Sequence, residues 1–154
     1  MAIEFDIEKE YGTLGVKSNG PQFNLVSWGD NEAKFDIRKW GEDGTPYKGI
    51  SFATENGMEL LELIGQALDG ASTDEEEFTY HMNGKDVPIY KVFGCFEAQG
   101  KFNKELTFMS WGYKAKFDLR GWTEDHDRCT KGISLDRAEL EDLRDLLCEA
   151  IEEL

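Results

Sequence analysis

Two seven-residue segments carry the residue types best suited to hold a charged, planar ligand. Residues 34–40 read KFDIRKW and residues 116–122 read KFDLRGW. Strict alternation puts Phe35 and Ile37 on one side of a strand and Lys34, Asp36, Arg38 and Trp40 on the other. Phe117 and Leu119 oppose Lys116, Asp118, Arg120 and Trp122 in the same way. Cations at alternate positions beside an indole suit a polyanion with unpaired bases. Lys and Arg meet the backbone charge, and each base stacked on an aromatic face contributes roughly 1–3 kcal/mol. The preceding strand extends each surface, with Val26 and Trp28 in one case and Met109 and Trp111 in the other.

The two segments belong to two copies of one longer unit. FNLVSWG at 23–29 answers LTFMSWG at 106–112, and KGISF at 48–52 answers KGISL at 131–135. The offset is 83, 82 and 83 residues at the three matches, as expected of a duplication with drifting turns. The seam is DGASTDEEE at 69–77, small, polar and acidic. The reading therefore assigns a first repeat to 1–70, an acidic linker to 71–77 and a second repeat to 78–154.

Within each repeat the pattern gives four strands and a helix. A first strand is expected around Ile3–Leu14 and again over Pro88–Phe96, followed by the SW, KFD and KGIS strands. Asn83-Gly84 is a tight-turn signal and adds a hairpin at the start of the second repeat. Leu140, Leu143, Leu147 and Leu154 recur at helical spacing, and Asp136 with Glu139 resembles a capping box. Met58, Leu61, Ile64 and Leu68 form the matching stripe. The fold class is thus α+β: two ββββα units, each an antiparallel sheet with a C-terminal helix. A unit of this size buries a marginal core alone, so the two are expected to pair through their helices as an intramolecular pseudo-dimer.

Composition narrows the function. The chain has 154 residues, a net charge of −15, 40% hydrophobic and 12% aromatic residues, enough for a core. No apolar run approaches membrane-spanning length and no secretory signal is evident, so a cytoplasmic protein without membrane partners is expected. Three cysteines, Cys95, Cys129 and Cys148, make no ligand spacing and fit a reducing compartment. The charge is unevenly placed. The helical segments and linker hold −14 of the −15, whereas the strand regions carry −3 (1–52) and +2 (78–135). An acidic back and a near-neutral front still permit polyanion binding, with strong salt sensitivity.

In its order of elements, with DIR or DLR followed by Trp, a polar loop, KGIS and a terminal helix, the chain resembles the transcriptional coactivator positive cofactor four family. The likeness is closest to that family's small bacterial single-stranded-DNA-binding members and covers most of both repeats. It implies a ββββα fold, pairing through the helices, and single-stranded DNA bound on curved sheet surfaces. Carried over by position, it implies DNA contacts from Lys34, Arg38, Trp40 and Lys48, and from Lys116, Arg120, Trp122 and Lys131. The chain differs from the family in fusing two units.

The function expected from residues and resemblance is single-stranded DNA binding, with RNA left open, in transcription, replication, recombination or repair. Trp28 and Trp111 join the expected site. So do Lys101, Lys104 and Lys114, which make the second repeat the more cationic and the expected carrier of most affinity. The alternative is an acidic protein-interaction module with the same fold that has lost DNA binding. No enzyme activity, cofactor or metal is expected. Glu124, Asp125, His126 and Asp127 read as a solvated turn, the cysteines lack a base, and no GxxxxGK loop is present. Further homo-oligomerisation of the fused pair is left open.

Overall fold

A computed structural model describes residues 4–154. It is an α+β protein with two antiparallel sheets. The first has strands β1 (Phe5–Thr13), β2 (Gln22–Trp28), β3 (Lys34–Trp40) and β4 (Pro46–Phe52), in that spatial order. A single 3-10 turn leads into helix α1 (Gly57–Gly70). The second sheet runs β5 (Phe78–Met82), β6 (Lys85–Gln99), β7 (Phe102–Met109), β8 (Lys116–Trp122) and β9 (Cys129–Leu135), followed by helix α2 (Arg137–Glu152). Residues 71–77 lie between α1 and β5, outside any helix or strand. The expected first strand matches β1, apart from Ile3, which lies outside the described residues.

Local chemistry explains the element ends. Asp136 accepts a hydrogen bond from the Glu139 N–H at 2.8 Å, and the Glu139 carboxylate accepts one from the Asp136 N–H at 2.8 Å, completing the capping box. Asn83 (φ 47°) and Gly84 (φ 81°) turn the β5–β6 hairpin in left-handed conformations that Asn and Gly adopt most readily. Two stripe residues fall outside the core. Met58 is exposed in the first turn of α1, and Leu154 is exposed beyond the end of α2.

One hydrophobic core serves both halves. Phe35, Phe52, Leu60 and Ile64 from the first half share a cluster with Phe96, Leu119, Leu135, Leu143 and Leu147 from the second. The helices pack on each other, and β4 lies against β9. Pooling two marginal cores raises the fraction of apolar surface withdrawn from water. Polar bonds reinforce the junction. Arg137 donates to the Leu68 carbonyl at 2.9 Å, satisfying an otherwise orphaned group at the end of α1. Glu97 accepts from the Ala53 N–H at 2.7 Å and from Asn56 at 3.0 Å. No helix of the described residues is long and apolar enough to cross a membrane.

The second sheet departs from the expected single buried face. Tyr80, Val87, Ile89, Met109 and Trp122 form a separate buried cluster on the side away from the main core. Strand β5 supplies Tyr80, whose ring meets Trp122 edge-on at 5.0 Å between centroids. The described part of the first half has no strand equivalent to β5.

Candidate nucleic-acid interface

Each KFD strand builds the same small apparatus. The buried Asp36 carboxylate accepts from Arg38 Nε and Nη2, both at 2.7 Å, and from Ser51 Oγ at 2.6 Å. Asp118 accepts from Arg120 Nε at 2.6 Å and Nη2 at 2.9 Å, and from Ser134 Oγ at 2.9 Å. Residues two apart on a strand share a face, so the bidentate pair forms within one strand. Each guanidinium also lies over an indole, Arg38 at 4.6 Å from the Trp28 centroid and Arg120 at 4.5 Å from that of Trp111. Burial pulls the Arg120 pKa down, but the adjoining Asp118 carboxylate outweighs it and holds the group above its ordinary value. Each arginine is thus an ion-paired, planar fixture rather than a free charge.

The same apparatus explains the glycine of each KGIS segment. Gly49 lies opposite Arg38 and Gly132 opposite Arg120. A Cβ at Gly49 would sit 2.2 Å from Arg38 Cβ, and one at Gly132 would sit 2.4 Å from Arg120 Cβ. Only a residue without a side chain lets the arginine cross the neighbouring strand.

The two sets meet where β4 and β9 adjoin. A cavity of about 860 Å³ is walled there by Arg38, Lys39 and Lys48 from the first half and by Arg120 and Lys131 from the second, with Trp28 and Tyr47 as aromatic walls. A second cavity of about 350 Å³ shares Arg120 and Ser134 with it and adds Trp111, Tyr113, Lys114 and Lys116. Among the described residues, no Asp or Glu lines either cavity. Together they make one groove across both sheets, cationic and aromatic, in a chain of net charge −15.

Not every expected residue reaches the groove. Trp40 is half-buried beside it, parallel to Trp28 at 6.3 Å and against Phe5 at 5.3 Å. Lys34 begins β3 opposite Val26, and lines neither cavity. Three expectations are corrected. Trp122 is fully buried, because the β5–β6 hairpin covers it, and its ring offers no face to a base. Lys104 is committed to Glu97 Oε1 and the Ser51 carbonyl, both at 2.6 Å, so it ties the halves together. Lys101 borders a different depression, shared with Glu124, Asp125 and Asp127. These placements remove much of the reason for expecting the second half to dominate.

Sequence reasoning missed Lys39 and Tyr47. Lys39 falls at an irregularity in β3–β4 pairing between Arg38 and Trp40, which simple alternation does not anticipate. Tyr47 precedes Lys48 in an exposed strand start, and its carbonyl accepts from Arg38 Nη1 at 2.8 Å. Its position two residues before Gly49 was the available signal.

Fold and groove define an α+β protein of two antiparallel sheets with paired Arg–Asp–Trp sets. The chain belongs to the same family as an uncharacterized protein of Treponema pallidum (strain Nichols), with 48% identity over 61 residues, 38% of this chain and 72% of that protein. The matched stretch is shorter than either repeat. No family model matches the chain.

Proposed function

We propose that this protein binds single-stranded nucleic acid, DNA in the first instance, in the groove between its two sheets. The observation that carries the reading is the carboxylate-free lining of that groove, which brings together Lys39, Lys48, Lys131, Lys114 and Lys116 with Trp28, Tyr47, Trp111 and Tyr113. A sequence-tolerant single-strand site requires cations along a track and aromatic planes for bases. Acidic groups on the helices and linker lie on other elements, which favours approach of a polyanion from the sheet side.

In this reading the chain is a fused pseudo-dimer of two ββββα units, 1–70 and 78–154, joined by 71–77. Reciprocal packing supports it: Gly12 of β1 lies against Leu146 of α2, and Gly94 of β6 lies against Leu63 of α1. Such exchange of equivalent contacts is the mark of an isologous pair.

The test is a titration with oligothymidine at low and high salt, followed by tryptophan fluorescence, beside a duplex of equal length. Quenching by the single strand, reversal by salt and weaker duplex binding are expected. Equal or tighter duplex binding, or no response at low salt, would overturn the proposal and favour an acidic protein-interaction module.

A further inference from the structure

Resting on that reading, we infer that the second half carries a pocket for one nucleobase, with Tyr113 as its outer wall, and that the first half lacks its equivalent. The pocket is the 350 Å³ cavity beside Trp111. That volume is at the low end of small-ligand sites, which span about 300–1,000 Å³, and suits one nucleotide rather than a longer segment.

Its walls are held from beneath. Trp111 Nε1 donates to Asp118 Oδ2 at 3.1 Å, and the same carboxylate grips Arg120, whose guanidinium lies over the indole. Indole and guanidinium are thus locked as a stack by one buried acid. Tyr113 is the opposite in character. The residue is 83% exposed, an unusual position for so large an aromatic side chain. The Ser110 hydroxyl donates to the Tyr113 carbonyl, which fixes the turn while leaving the ring outward. Lys114 and Lys116 stand on the rim, placed for the phosphates flanking an inserted base. An aromatic wall, a rigid planar stack and two lysines are the elements of a base-and-phosphate subsite.

The first half has the same Trp–Arg–Asp set but a different turn. Trp28-Gly29 is followed by Asp30 and Asn31 where Trp111-Gly112 is followed by Tyr113 and Lys114. Asp30 and Glu32 are exposed there, so the turn presents carboxylates to an approaching strand. The indole is also held differently: Trp28 Nε1 is buried and has no hydrogen-bond partner among the described residues.

The experiment compares wild type, Tyr113→Ala, Tyr113→Phe and Asp30→Ala in oligothymidine binding at fixed low salt. Tyr113 lies on an exposed turn, and its hydrogen bond to Ser110 is made by the backbone, so the variants keep the core intact. Loss of one stacked base should weaken Tyr113→Ala about 5- to 150-fold, with Tyr113→Phe within about twofold of wild type and Asp30→Ala no weaker than wild type. Tyr113→Ala binding as tightly as wild type would overturn the pocket and leave the groove standing. If wild type binds no oligothymidine, the broader reading fails. Thymidine 5′-monophosphate then decides the pocket alone: Tyr113-dependent shifts of the Trp111 indole N–H resonance sustain it, and their absence overturns it.

Discussion

Gly94 in β6 makes room for Leu63 of α1, across the boundary between the two halves. A Cβ on Gly94 would lie 2.8 Å from Leu63 Cδ2, and the backbone there has φ +150°, which side-chain-bearing residues rarely adopt. The backbone conformation there calls for glycine, and the Leu63 methyl would have to shift to admit a Cβ.

Gly94→Ala is expected to destabilise the fold by about 1–3 kcal/mol through backbone strain and the crowding of Leu63. Urea unfolding measures this as a lower midpoint with unchanged slope. Adding Leu63→Ala should recover part of the loss, with a coupling of about 0.5–3 kcal/mol. Strictly additive losses would place the cost in the backbone instead of the side-chain clash.

Glu97 gives the junction a pH dependence. Burial pushes its carboxyl pKa up, but the Ala53 N–H, Lys104 and Asn56 outweigh that and hold it below its ordinary value. A lowered folded-state pKa contributes stability above the unfolded value, and that contribution is lost as pH falls through the folded value. Glu97→Gln should therefore cost about 1.5–3 kcal/mol at pH 7, and the cost should shrink as pH falls through the folded-state value and the wild-type carboxylate takes up its proton. Denaturation over a descending pH series checks the narrowing.

The hairpin makes an optical prediction. Trp122 is fully buried under Tyr80, whereas its counterpart Trp40 is only half-buried beside Trp28. Variants retaining one tryptophan should show Trp122 shielded from acrylamide and Trp40 quenched. Tyr80→Ala should expose Trp122 and cost about 3–5 kcal/mol, as for other buried aromatics.

Groove cations should be separable from the rest by salt. For a single strand, each lysine–phosphate pair contributes about 0.7 to the slope of log K against log salt, so removing one lysine flattens the slope by that amount. Lys48→Ala and Lys131→Ala should each show that change in oligothymidine titrations. Lys101→Ala, in its depression with Glu124 and Asp125, should leave the slope unchanged. A slope change at Lys101 as large as that at Lys131 would move the strand path off the groove.

The repeat made the two sheets and two helices legible, because each strand kept its alternation and each helix its leucine spacing. The pairing of Arg38 with Asp36 was also within reach, since residues two apart on a strand share a face. What local pattern cannot encode is which surface a hairpin folds over. Asn83-Gly84 announced the turn, but only the tertiary packing of Tyr80 on Trp122 shows that it covers the Trp122 part of the expected surface. Lys104 escaped for the same reason. Its partners Glu97 and Ser51 lie 7 and 53 residues away in sequence.

Carrying both units on one polypeptide changes what substitution can do. In a pair of identical subunits every replacement appears twice, and the two ends of a shared surface must stay alike. Here Tyr113 follows one SWG segment and Asp30 the other, and β5 covers one indole while its counterpart is only half-buried. A directional polymer laid along such a surface meets different chemistry at its leading and trailing ends. If the groove holds a strand as proposed, its two orientations would then differ in free energy.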